Sequence, residues 1–104
     1  MFQYQELEDK CSATINGEMT IYTATELKQK LVAVLADPRD LEINLGGVSE
    51  IDSAGVQLLM LARKVRSADQ HTLTLVEHSG SVLDAFDALG LESYFGDPVV
   101  ISKI

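Results

Sequence analysis

The sequence predicts an α/β fold: a central mixed β-sheet of four to five strands with helices packed on it, in a single domain spanning residues 1–104. Three observations carry this prediction. Segments with period-two alternation of apolar residues take turns with segments of helical period, which requires crossover connections and a largely parallel sheet. The chain has 104 residues, 46% of them apolar, enough for one core and too few for two. Its two prolines and seven glycines are scattered and mark no linker.

Phe2 to Leu7 alternates rings with polar side chains, and Cys11 to Ile15 puts Ala13 and Ile15 on one face. Both read as short strands that turn near Glu8-Asp9-Lys10, the second closed by Asn16-Gly17. Thr23 with Glu26 three residues later is a capping-box pattern, so a helix is expected to start there. Leu27, Leu31, Val34 and Leu35 carry it to Asp37-Pro38, where proline excludes its predecessor from helical geometry. Leu41, Ile43 and Leu45 form a third strand, ended by Gly46-Gly47. A second helix is expected over Ser53 to Arg66, a strand over Thr72 to Val76, and a third helix over Ser81 to Leu89, stopped by Gly90. Val99 to Ile101 reads as a last strand.

Sixteen acidic against eight basic residues leave a formal charge of −8. That balance repels phosphate backbones and anionic headgroups, which argues against nucleic-acid and membrane-surface roles. The chain shows neither a leader-like start nor an apolar run long enough for a bilayer, and its one cysteine, Cys11, has no disulfide partner. A cytoplasmic setting is therefore expected, with Cys11 as a packing residue. His71 and His78 lack the spacing of a metal site and read as solvated strand-end residues, and Gly46-Gly47 lacks the remainder of a phosphate loop. No catalytic constellation, metal or cofactor is expected.

The informative segment is Ile51-Asp52-Ser53-Ala54-Gly55, which sets an acid and an alcohol at the start of a helix. Either side chain can cap that helix. Alternatively, the serine accepts phosphate, which a helix N-terminus tolerates and which adds about 1.5 to 2 negative charges in reach of a docked partner. On a helical wheel, Ala54, Leu58, Leu61, Ala62 and Val65 form a core stripe, and Val56, Met60 and Arg63 face away. That row suits a partner surface, although neighbouring helices or self-association could equally cover it.

Leu41 to Arg63, LEINLGGVSEIDSAGVQLLMLAR, resembles the signature region of the STAS domain, named for sulfate transporters and anti-sigma factor antagonists. Asn16-Gly17-Glu18 with the helix after it resembles the family's Gly-Glu turn and first helix, and Val82 to Leu91 a later family segment. The length fits the stand-alone bacterial anti-sigma factor antagonists. The resemblance implies a non-enzymatic module whose unphosphorylated form binds an anti-sigma factor, often a serine-protein kinase, and is released by phosphorylation until a cognate phosphatase restores it. It makes Ser53 the phosphoacceptor, Asp52 the residue shaping the loop, and Gly55 a point of close approach for the partner backbone. The partner contact would comprise Gly17, Glu18, Thr20, Tyr22, Asp52, Ser53, Ala54, Gly55, Val56, Met60 and Arg63.

Two departures stand out. Met19-Thr20-Ile21-Tyr22 occupies the place where the family often has an aspartate, and Ala54 replaces a second serine. The stretch from Thr20 to Ala24 also resembles STAS proteins that accompany chemotaxis or lipid-transport components. An unphosphorylated subunit of such a complex, with Ser53 only a cap, is the rival expectation. A small-ligand sensor is a third, disfavoured by the missing phosphate loop.

Overall fold

The computed structural model describes residues 2–91; the strand expected at Val99 to Ile101 lies outside them. The order is β1 (Phe2–Glu6), β2 (Lys10–Met19), α1 (Ala24–Leu35), β3 (Asp40–Ile51), α2 (Ser53–Ala68), β4 (Leu73–Val76) and α3 (Gly80–Leu89). Among the described residues the sheet has four strands in the order β1-β2-β3-β4, with β1 antiparallel to β2 and the other pairs parallel. The expected mixed sheet with packed helices is the fold observed.

The core forms where strand alternation meets helical periodicity. Cys11, Ala13 and Ile15 of β2, Leu41, Ile43 and Leu45 of β3 and Leu75 of β4 turn one sheet face inward. Leu27, Leu31, Val34 and Leu35 of α1, Leu58, Leu59 and Ala62 of α2, and Val82 and Phe86 of α3 cover it. Cys11 is fully buried, in keeping with a packing role. The alternate residues Ser12, Thr14, Glu42 and Asn44 are polar and only half-buried.

Neither Asn16-Gly17 nor Gly46-Gly47 ends its strand. β2 runs through Asn16-Gly17 to Met19, and β3 through Gly46-Gly47 to Ile51, paired in parallel with irregularities between Thr14 and Asn16 and between Gly17 and Glu18. Gly17 takes φ 93°, a conformation glycine allows at a bulge, and the Asn16 side chain fills the space a Cβ on Gly47 would need. The glycines thus let the strands continue, and both end at the same edge of the sheet.

The capping box at α1 does not form. Thr23 precedes the helix without capping it: its Oγ1 accepts from the Thr20 amide at 3.0 Å and donates to the Glu18 carbonyl at 2.9 Å. Glu26 pairs instead with Lys30 at 3.2 Å. The histidines also differ from expectation. His78 is 3% exposed and meets Phe86 edge to face at 5.7 Å, and His71 is half-buried, so neither is a solvated strand end.

Opposite the loops that follow β2 and β3, Arg39 ties the turn side of the sheet together. Its guanidinium donates to Asp37 at 2.6 and 3.0 Å, to Glu6 at 2.7 Å and to the Leu7 carbonyl at 2.9 Å. Tyr4 adds its hydroxyl to Asp37 at 3.2 Å.

Candidate functional site at the start of helix α2

β2 and β3 end side by side, so the chain leaves both strands at one rim, where open parallel sheets commonly carry their sites. Thr20 to Thr23 connects β2 to α1 there, and Asp52 connects β3 to α2. Asp52 is the helix cap. Its Oδ1 accepts from the amides of Ala54 at 2.9 Å and Gly55 at 3.1 Å, while Oδ2 accepts from the Ile21 amide at 2.9 Å. Its own amide donates to the Met19 carbonyl at 3.2 Å. The Ile21 N–H, more than those of Gly55 and Ala54, holds the carboxyl below its ordinary range against the opposing effect of burial.

With the cap assigned to Asp52, Ser53 is spared that task. It is the first residue of α2, is exposed, and its hydroxyl makes no hydrogen bond among the described residues. A hydroxyl at the positive end of a helix whose first amides are already capped can accept an anionic group without disturbing that cap.

Gly55 is placed differently from expectation. It is buried, and a Cβ there would strike the Met19 carbonyl oxygen and come within 2.8 Å of Ile51 Cγ1, so the close approach is made by the chain's own β2 and not by a partner. The Val56, Met60 and Arg63 row also requires correction. Val56 is 3% exposed, and Met60 and Arg63 are half-buried, Met60 against the core. The buried face of α2 comprises Gly55, Val56, Leu58, Leu59, Ala62 and Arg66, roughly a quarter-turn from the expected stripe at 100° per residue. Arg66 explains the displacement. Counted as polar, it argues against the very face on which it is buried.

Of the other expected contact residues, Ala54 is half-buried in a groove of about 310 Å³ between α1 and α2 that Lys28 and Leu61 also line. Gly17 is half-buried within β2, Glu18 is exposed, and Thr20 is buried. Tyr22 is the most prominent, 90% exposed. Ser53, Glu18 and Tyr22 therefore share an accessible rim; Gly55, Val56 and Thr20 lie beneath it. Two residues here, Ile21 and Glu50, lie inside the turn and the signature segment described above, yet neither is among the expected contact residues. Ile21 is 69% exposed, and Glu50 lies across the ladder from Glu18, both carboxylates exposed and neither in an ion pair among the described residues. A further groove of about 290 Å³ beside Ser53 is lined by Val56, Gln57, Met60, Leu89 and Leu91. Among the described residues no group of three metal-binding side chains occurs, and no helix is long and apolar enough to cross a membrane.

The site is thus an exposed serine directly after a capping aspartate, at the rim of a mixed sheet covered by helices. The family model described as "Mlab, STAS domain" matches residues 2–101, and the chain belongs to the STAS domain family. Within it the chain stands with the anti-sigma factor antagonists, which are regulatory and non-catalytic: it is 32% identical over 85 residues to the anti-sigma-B factor antagonist of Bacillus subtilis, covering 82% of this chain and 78% of that one. Among solved structures, an anti-sigma factor antagonist from Mycobacterium paratuberculosis aligns with a TM-score of 0.83 at 22% identity, covering 96% of this chain and 86% of that one. The Bacillus protein SpoIIAA aligns at 18% identity, with a TM-score of 0.70 in its unphosphorylated form and 0.71 in its phosphorylated form. These alignments cover 99% of this chain and 90% of that one in the first case, and 98% and 93% in the second.

Proposed function

We propose that this chain is a cytoplasmic partner-switching regulator without catalytic activity of its own. Unphosphorylated, it docks onto an anti-sigma factor of the serine-kinase type through the rim formed by Glu18, Tyr22, Asp52 and Ser53. Phosphate on Ser53 releases the partner, and a cognate phosphatase restores the docking form. The observation that carries this reading is the division of labour between neighbours: Asp52 makes every cap contact, so the Ser53 hydroxyl is exposed and uncommitted. The similar alignment to both forms of SpoIIAA supports a modification that leaves the fold in place.

The effect of phosphate is electrostatic. A dianion beside Asp52, Glu18 and Glu50 deepens an already acidic rim, and it must be desolvated wherever the partner packs closely on Ser53. A loss of about 2 to 3 kcal/mol corresponds to a thirty- to hundredfold weaker complex. Titrating wild type, Ser53→Ala and Ser53→Asp against the purified kinase-type anti-sigma factor of the same organism tests this. Wild type and Ser53→Ala should bind alike and Ser53→Asp more weakly by that factor; equal affinity of all three would remove the switch. In the rival subunit reading Ser53 is only a cap, a task Asp52 performs here; the subunit role itself is separated by the same titration, in which all three chains would then behave alike.

A further inference from the structure

Next to Ser53, two large apolar side chains stand in solvent on backbone that is firmly held. Ile21 and Tyr22 are 69% and 90% exposed, while Met19 and Thr20 just before them are buried. Each amide from Thr20 to Thr23 has an acceptor. Thr20 donates to Thr23 Oγ1 at 3.0 Å, Ile21 to Asp52 Oδ2 at 2.9 Å, Tyr22 to Thr20 Oγ1 at 3.3 Å and Thr23 to the Thr20 carbonyl at 2.9 Å. A segment tied in this way has already lost most of the entropy that docking would otherwise cost. A tyrosine on such a base offers a large contact area with only two rotatable bonds, the property that makes it common at binding hot spots.

The surroundings specify what fits. Glu18 and Glu50 are adjacent across β2 and β3, exposed and, among the described residues, outside any ion pair, and like charges side by side repel. A complementary surface brings cations to that pair and an apolar recess to the ring. Building on the partner-switching reading, we propose that Tyr22, assisted by Ile21, is the anchor of the docking surface. Its occupant is a protein surface with an apolar pocket for the phenol ring, edged by Lys or Arg side chains that face Glu18 and Glu50. Asp52 holds this anchor in register with Ser53, so the partner grips the loop and meets the serine in one rigid arrangement.

The test uses the full chain and the purified kinase-type anti-sigma factor of the same organism, with binding measured by calorimetry at low and moderate salt. Tyr22→Ala should weaken the complex at least thirtyfold with an unchanged melting temperature, because the side chain supports nothing in the fold. Tyr22→Phe should recover most of the affinity, and the Glu18→Gln, Glu50→Gln double variant should bind more weakly with a smaller salt dependence. Wild-type affinity in Tyr22→Ala, with binding still lost in Ser53→Asp, would overturn the anchor and leave the partner-switching reading standing. A wild-type chain that neither binds this kinase nor is phosphorylated by it would overturn both. Vesicles of phosphatidylcholine and phosphatidylglycerol form the last arm: capture of wild type but not of Tyr22→Ala would assign the tip to a lipid surface and overturn the proposal, whereas no capture of either supports it.

Discussion

Asp52 touches both halves of the rim, so its removal acts twice. In Asp52→Ala the amides of Ala54 and Gly55 lose their cap and the Ile21 amide loses its only tie to α2. The melting temperature should fall by roughly 5 °C, and amide exchange measured by NMR should accelerate at Ile21 more than at Leu27. Ser53→Ala, by contrast, removes no hydrogen bond and should leave urea unfolding within about 0.5 kcal/mol of wild type. A loss near 1 kcal/mol would mean that the serine shares the cap. Gly55→Ala has no room: its methyl meets the rigid Met19 carbonyl, and overpacking against backbone should cost roughly 3 kcal/mol in the same assay.

At the scale of elements, α2 owes its orientation to a residue that a hydropathy argument places in solvent. Arg66 is fully buried, and its guanidinium donates to the carbonyls of Leu35, Asp37, Arg39 and Thr72, joining the end of α1, the approach to β3 and the approach to β4. Burial lowers its pKa, with Asp37 the largest opposing influence. Arg66→Ala strands four carbonyls and opens a cavity, so chemical denaturation should register a loss of about 3–5 kcal/mol. The alternation of Leu41, Ile43 and Leu45 makes β3 legible in the sequence, as the spacing of Leu27, Leu31 and Val34 does for α1. The continuation of both long strands is not legible, because Asn16-Gly17 and Gly46-Gly47 signal turns unless a neighbouring strand is there to accommodate them. The direction of α2 is hidden for a related reason. Val56, Leu58, Leu59, Met60 and Leu61 cover most of its circumference, and the carbonyls awaiting Arg66, with the close approach of Gly55 to β2, decide which side turns inward. For the rim, the motif around Asp52 and Ser53 marks the place, but the choice between them as cap depends on Ile21 drawing the second carboxylate oxygen.

Over the whole molecule, two depressed carboxyls sit at opposite ends of the sheet. Arg39 holds Asp37 well below the carboxylate range, and amide donors do the same for Asp52. Both bind protons more tightly when unfolded, so their stabilisation is complete above their unfolded values, near pH 4, and disappears as pH falls through the lower folded ones. Acid titration followed by circular dichroism should therefore show a steep loss of structure below about pH 4, and the Asp37→Asn, Asp52→Asn double variant, weaker at neutral pH, should show a flatter acid limb. The division of tasks between residues 52 and 53 has a kinetic corollary. Because closure of the first helical turn belongs to the aspartate, the serine can acquire and shed a substituent repeatedly on an unaltered scaffold. Under the proposed switch no refolding step would stand between one cycle and the next, and the enzymes that write and erase the mark would set the tempo of the response.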